Sequence, residues 1–295
     1  MSLMNKLPEL DLRNIEDDAR QQAIQEFRSK HASTHKNVIL IDKDGKQHLI
    51  PSVLPTLPIG TPAPDDAMIT VTDPSDIVGT FLDLTTYTVP YGNELLMYDQ
   101  TLQDYGFVRN GRGNYWKTVG DGTSKTLFVA HLDTADRGKP MEVNHVFTED
   151  NYVKTDLTTY LGADDRAGMA VMFYLMAQNV PGDYLFVIGE EVGCIGSSDE
   201  AKHIDAGRYD RAIQFDRAGT GEVITHQMGV RTASREFARA LCKEFKRTSN
   251  GVIQLYPSDR GVYTDTKEFA HLIPECTNIS VGYVRQHSVQ ETQDL

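Results

Sequence analysis

The chain predicts an α/β fold, a three-layer sandwich in which a mixed, mostly parallel central sheet lies between helices. Three observations carry this. Apolar runs the length of buried strands recur at Leu127–Ala130, Leu185–Ile188, Ile213–Phe215 and Ile279–Tyr283. Stretches with helical spacing alternate with them, the pattern that builds parallel sheets. Each run then empties into acid or imidazole, as strands do when they feed a crevice at the carboxyl edge of such a sheet.

Residues 14–30 place Ile15, Ala19, Ala23, Ile24 and Phe27 at helical spacing behind Asn14, an N-cap type, which predicts an amphipathic helix. Residues 37–50 alternate and turn at Asp44-Gly45, which predicts a hairpin. Five prolines between residues 51 and 64 exclude helix and central strand and predict an extended arm. The expected organisation is therefore an N-terminal part, residues 1–73, with helix, hairpin and proline-rich arm, followed by a main domain at 74–295. That domain opens on a capped helix whose Ile77, Phe81 and Leu84 face a core, and a second helix follows Gly92 and stops at Gly106. Short strands near Phe107 and Tyr115 lead to the Leu127 strand, and residues 144–155 read as a hairpin turning at Glu149 to Asn151. The helix whose first turn is Asp164 to Gly168 is apolar nearly all round from Met169 to Met176, so it is expected to be buried against the sheet. A further helix covers Ser234 to Phe245.

At 295 residues, 40% hydrophobic and 24% charged, the chain has the balance of a globular protein with a sizeable core. A net charge of −13 argues against nucleic acid or an anionic membrane as partner, since such binding draws on clustered Lys and Arg. No apolar run approaches a membrane span. The three cysteines, Cys194, Cys242 and Cys276, are odd in number and widely spaced, which argues against a disulfide framework and for a reducing, cytoplasmic setting.

The strand at Leu127 ends in His131 and Asp133, which an extended backbone points the same way. Alone, such a pair is common. The next strands end in Glu190 and Glu191, then Asp216, then His287, while Asp164 and Asp165 open a helix. If the strands are neighbours, two histidines and several carboxylates converge, a donor set suited to Zn²⁺, Mn²⁺ or Co²⁺ and large enough for two ions. Cys194 beside them is a packing residue by type, and His271, in a helical pattern among apolar residues, is a weaker ligand candidate than His287.

AHLDT, GADDRAG, GEEVG, FDRAG and GYVRQHS, in this order, resemble the motif series of the co-catalytic zinc exopeptidases, a superfamily of metallo-aminopeptidases, tripeptidases, carboxypeptidases and deacylases. The likeness covers about residues 74–290 and implies the phosphorylase/hydrolase-like fold of that superfamily. It implies two zinc ions, with His131 and Asp216 on one, Glu191 and His287 on the other, and Asp164 bridging both. Asp133 would orient His131, Glu190 would be the general base, and Asp165 a helix-capping neighbour. The implied activity is hydrolysis of short peptides as an aminopeptidase or di/tripeptidase. An N-acyl amide deacylase with the same site, or a catalytically silent binding homologue, are the alternatives. Only 31 positions separate Asp133 from Asp164, and 71 separate Asp216 from His287, so neither insertion point seen in relatives holds an extra domain here. A homo-oligomer is compatible with the sequence. Tyr263 and His226 are the candidate oxyanion donors. The whole reading requires His131 within coordinating reach of Asp164 and Asp216.

Overall fold

The computed structural model describes residues 9–11, 37–41, 47–51 and 60–295. The chain divides into two compact units, Met1–Ile59 and Gly60–Leu295. In the first, β1 (Glu9–Asp11), β2 (Asn37–Ile41) and β3 (Gln47–Pro51) form one sheet in that order, β1 parallel to β2 and β2 antiparallel to β3. The β2–β3 ladder, from Asn37 opposite Pro51 to Ile41 opposite Gln47, is the expected hairpin. Its Asp44-Gly45 turn, the helix expected over residues 14–30 and most of the proline-rich arm lie outside the described residues.

The second unit takes in residues 60–73, which sequence composition assigns to the arm. Ala63 donates its N–H to the Pro140 carbonyl and Ile69 to that of Met97, both at 2.9 Å. Ala67, Ile69 and Val71 are buried in the main core. Their spacing of two is that of an extended segment with one face inward, a signal the neighbouring prolines conceal.

Helix α1 (Ile77–Leu84) is capped by Asp76, whose carboxylate accepts the Gly79 N–H at 3.0 Å. Phe81 and Leu84 are buried as expected, but Ile77 is 39% exposed. The first turn of this short helix overhangs a shallow apolar groove shared with Ala167, Ala170 and Val171, so Ile77 lines the groove instead of the core. Helix α2 (Glu94–Asp104) ends through Gly106 at φ +79, the left-handed conformation a helix C-terminus favours. Strands β4 (Val108–Arg109) and β5 (Tyr115–Val119) follow, then the fully buried β6 (Thr126–His131). The predicted hairpin is β7 (His145–Phe147) with β8 (Tyr152–Thr155), its turn containing Asn151 at φ +62.

Helix α3 (Ala163–Ala177) buries eleven of its residues, including Met169, Met172, Phe173 and Met176, which is why its sequence shows little amphipathic contrast. Strand β9 (Gly182–Val187), helix α4 (Ile195–Glu200) and strand β10 (Arg211–Arg217) come next. They are followed by β11 (Glu222–Ile224), the small ladder β12 (His226–Gln227) with β13 (Val230–Arg231), and helix α5 (Arg235–Thr248), capped by Ser234. Strand β14 (Tyr256–Ser258), helix α6 (Asp265–Phe269), β15 (Glu275–Ser280), β16 (Tyr283–Val284) and β17 (Thr292–Asp294) complete the chain.

The central sheet has the order β14-β11-β15-β10-β6-β9-β5-β4. Its middle, β15-β10-β6-β9, is parallel throughout, while β5 runs antiparallel to β9 and β11 to β15. One core cluster joins α1, α2 and α3 to the sheet, and a second gathers Leu127, Val129, Leu185, Val187, Phe269 and Ile273. A second sheet, β16-β17-β8-β7, is antiparallel. The apolar run predicted as one strand over Ile279–Tyr283 is split between the two sheets, β15 stopping at Ser280 and Gly282 turning the chain at φ +102 into β16. Among the described residues no helix is long and apolar enough to cross a membrane.

Candidate metal centre

The four parallel strands share a direction, so the residues at their carboxyl ends meet at one edge. His131 is the last residue of β6 and is fully buried. Its Nε2 lies 3.0 Å from Asp164 Oδ1 and 3.9 Å from Asp216 Oδ1, within the reach the sequence reading requires. Asp216 leaves the end of β10, and Asp164 sits at the start of α3, where Asp164 and Asp165 depart from helical dihedrals and are joined by a cis peptide bond. The other oxygen of Asp164 is 3.2 Å from His287 Nε2, which is also 3.1 Å from Glu191 Oε1. Three groups among the described residues could hold a cation, His131–Asp164–Asp216, Asp164–Glu191–His287 and His131–Glu190–Glu191, and Asp164 is shared by the first two.

His287 does not issue directly from a strand of the central sheet. It comes from the loop between β16 and β17, at φ +58, and its side chain is 52% exposed. His271, by contrast, is exposed in a turn after α6.

Glu190 and Glu191 also lie beyond their strand. Strand β9 stops at Val187, and Gly189 at φ +67 and Gly193 at φ +107 frame a tight loop that brings a carboxylate oxygen of each glutamate within 4.8 Å of the His131 ring. A Cβ on Gly189 would stand 2.8 Å from the Tyr91 ring, so the close approach there requires glycine. Asp133 organises this loop. Its Oδ1 accepts the Glu190 N–H at 2.9 Å and its Oδ2 the Glu191 N–H at 3.1 Å. Its backbone carbonyl is 3.0 Å from His131 Nδ1, while its carboxylate is 3.5 Å from that nitrogen. The imidazole is therefore oriented chiefly by the carbonyl of Asp133, and its carboxylate chiefly holds the glutamate backbone.

Several positioning side chains carry no sequence signal of their own. Tyr283 donates to Asp216 Oδ1 at 2.8 Å, and Thr264 and Gln214 donate to Oδ2. Asn278 clamps the Asp216 backbone, accepting its N–H at 2.8 Å and donating to its carbonyl at 2.6 Å. Arg166, fully buried, donates to the Asp133 carbonyl at 3.1 Å and to the Tyr98 hydroxyl at 3.1 Å. Only the GADDRAG motif places Arg166 near the site in sequence.

The electrostatics of this cluster call for positive charge. Burial disfavours charge on His131, yet Asp133 and Asp164 outweigh it and hold the ring pKa well above its ordinary value. The carboxylates of Asp164 and then Glu191, both close to its ring, lift His287 to about 10. Burial works against the Asp164 carboxylate, but the two histidines hold its pKa below the usual range. Burial, followed by the charges of Asp164 and Asp165, pushes Asp216 up, and burial takes Glu190 to about 8. Glu191 Oε1, although close to His287, accepts no hydrogen bond and is shut off from solvent. An orphaned carboxylate oxygen beside two imidazoles and two further carboxylates fits a divalent cation, whose charge would relieve the repulsion.

The cleft over the cluster is lined by Asp164, Glu190, Asp216, His287, Ile224 and Tyr263, among others. The Tyr263 hydroxyl is engaged by Glu268, and His226 Nδ1 pairs with the Thr225 hydroxyl at 3.0 Å. Cys194 is buried at the start of α4, its Sγ 3.7 Å from Glu190 Oε1, and burial raises its pKa, which makes it a poor nucleophile.

Comparison with known proteins places this geometry. An uncharacterized protein of Bacillus subtilis (strain 168), YqjE, is 35% identical over 117 residues, a match spanning 36% of this chain and only 30% of that relative's length. A tripeptidase from Staphylococcus aureus subsp. aureus Mu50 superposes with a TM-score of 0.58 at 15% identity, covering 76% of this chain and 94% of its own. An aminopeptidase from Bacillus cereus ATCC 10987 gives 0.57 at 17%, covering 76% and 94%. The TET1 peptidase of Pyrococcus horikoshii gives 0.57 at 16%, covering 74% and 94%. At these identities the structural likeness is one of fold. The model of peptidase family M28 matches residues 115–279, more than half the sequence and the part that carries β5 to β15, and the chain belongs to that family.

Proposed function

We propose that this chain is a metal-dependent exopeptidase with a dinuclear centre, hydrolysing short peptides as an aminopeptidase or a di- or tripeptidase. The observation that carries the proposal is the sharing of Asp164, one oxygen 3.0 Å from His131 and the other 3.2 Å from His287. In this reading His131 and Asp216 would hold one ion, Glu191 and His287 the second, and Asp164 would be shared by both. The mixed imidazole and carboxylate set suits zinc, with manganese or cobalt as substitutes. Two such ions, when bound, supply an activated water and a polarised scissile carbonyl.

The protein's own groups supply the rest. Glu190 borders the cleft without being a ligand in this scheme, so its carboxylate takes the proton of the attacking water and passes it to the leaving amine. Its burial beside the cluster supports that role, since bound cations would keep the carboxylate ionised while it is held close to the reacting groups. His131 donates its Nδ1–H to the Asp133 carbonyl, which leaves Nε2 as the ligand atom.

Family membership and the peptidase neighbours support the reading. A homo-oligomer is part of it, because the TET1 peptidase can assemble into a tetrahedron or a large octahedral shell. So is a cytoplasmic setting, since Cys194, Cys242 and Cys276 are all free thiols. The test is elemental analysis of the purified protein paired with a screen of aminoacyl against N-acyl substrates, with and without chelator. Close to two ions per chain, cleavage only of substrates with a free α-amine, and loss of activity on chelation are expected. Cleavage of N-acyl substrates alone would make it a deacylase, and absence of stoichiometric metal would overturn the metal centre.

A further inference from the structure

Glu291 is four residues past His287 and buried, 1% exposed, yet it belongs to none of the three candidate cation groups. Its carboxylate reaches across to the start of α3. Oε2 accepts the N–H of Gly162 at 2.7 Å and Oε1 accepts the N–H of Asp164 at 3.1 Å. Gly162 is left-handed, at φ +71, and no side chain of its own caps the segment. A Cβ at Gly162 would lie 2.7 Å from Thr134 Cγ2, so no residue there could supply the cap locally. The tail supplies it from 129 positions away.

The tail carrying Glu291 is itself fixed. Glu291 donates its own N–H to the Ser288 carbonyl at 3.1 Å, closing a turn directly after His287. The Gln293 side chain donates to the Val281 carbonyl at 2.9 Å, and β17 pairs with both β16 and β8. One short stretch therefore presents an imidazole to the side chain of Asp164 and a carboxylate to its backbone. Asp164 is gripped from the side chain by His131 and His287 and from the main chain by Glu291.

We propose that Glu291 is a positioning residue that sets the placement of Asp164 between the two cation groups, so that the C-terminal tail determines how tightly the shared carboxylate binds both ions. This rests on the metal-centre reading given above. Two hydrogen bonds from main-chain N–H groups two residues apart hold the helix start more closely than packing alone, and partners of this kind typically govern metal affinity by about 10–100-fold.

The experiment measures zinc affinity of the full chain by competition with a chromophoric chelator, together with thermal unfolding of the metal-free protein, for wild type, Glu291→Gln and Gln293→Ala. Glutamine keeps the shape but turns an amide N–H₂ towards one of the two donors. The expected result is zinc binding weakened about tenfold to a hundredfold in Glu291→Gln, with kcat lowered and KM little changed. Gln293→Ala, which loosens the same tail without touching Asp164, is expected to lower the unfolding temperature while leaving zinc affinity near wild type. Equal zinc affinity in Glu291→Gln and wild type would overturn the proposal, and so would an equal loss in both variants, which would make the tail merely structural. Should Glu291→Gln fail to fold, Glu291→Asp, whose shorter arm reaches one N–H only, is judged by the same two criteria. Wild-type protein that binds no zinc would instead overturn the metal centre itself.

Discussion

The carboxylate of Asp133 accepts the backbone N–H of Glu190 at 2.9 Å, although the two follow the ends of different strands and are 57 positions apart. With its second oxygen on the Glu191 N–H, this side chain sets the loop that carries both glutamates. Asp133→Asn should retain the fold, since asparagine is nearly isosteric, but its amide would face one of the two N–H groups and push the loop away. Turnover is expected to fall about 10–100-fold, mostly in kcat, with weaker binding of the ion assigned to Glu191. Steady-state kinetics with a zinc titration checks both, and a variant with wild-type kcat would show that the loop keeps its position without this pair.

Glu190 gives the sharpest separation of chemistry from structure. Apart from a weak contact with the Cys194 thiol, its carboxylate has no described hydrogen-bond partner, so Glu190→Gln should leave stability and metal content unchanged. Removing a proton-transfer group typically costs about 10²–10⁴ in rate. Turnover should therefore drop by at least about a hundredfold at constant metal stoichiometry, and a fully active Glu190→Gln protein would refute the base assignment.

The part of this site legible in sequence is what strand periodicity and residue type determine. His131, Glu190, Glu191 and Asp216 follow apolar runs, and parallel strands carry their ends to one edge whatever the loops do. The groups that hold these residues are invisible for the opposite reason. Tyr283 meets Asp216 across 67 positions and Glu291 meets Asp164 across 127, and neither residue type predicts a partner. His287 was legible by type, but its delivery from a second, antiparallel sheet depends on the turn at Gly282, which interrupts an otherwise continuous apolar run. Ile77 shows the same limit in reverse, since helical spacing says which face is apolar but not whether another element covers its first turn.

Acid stability should depend on Glu200. Its buried side chain accepts from Arg112 at 2.6 and 3.1 Å, from Asn110 at 2.7 Å and from Asn114 at 2.8 Å. Burial raises its pKa, but these donors outweigh burial and hold it below the ordinary 4.5. A carboxyl whose folded-state pKa is depressed stabilises the protein above its unfolded value, and that contribution disappears as pH falls through the folded value. Glu200→Gln should therefore cost about 2 kcal/mol at pH 7 and progressively less below about pH 4.5. Urea unfolding at pH 7 and in the range of about pH 3 to 5 measures this difference. Glu222, similarly held down by Ser258, Arg217 and Arg260 against the pull of burial, remains in the variant, so acid sensitivity is reduced and not abolished.

Gly168 tests whether α3 is seated as closely on β10 as the site requires. In an ordinary helix interior, replacing glycine by alanine stabilises by up to about 1 kcal/mol. Here a Cβ would stand 2.7 Å from the carbonyl oxygen of Phe215 and 2.2 Å from Asp165 Oδ1, closer than any real contact allows. The carboxyl of Asp165 could turn aside, but the Phe215 carbonyl belongs to the β10 backbone immediately before Asp216. Relief of the clash must move the helix start that carries Asp164, or the strand end that carries Asp216. The sign of the usual effect should therefore reverse, with Gly168→Ala destabilised by about 1–3 kcal/mol. Because either movement separates Asp164 from Asp216, zinc affinity should fall as well. Urea unfolding of the metal-free protein gives the first quantity and chelator competition the second, and a variant more stable than wild type would mean that α3 has room to spare over the strand.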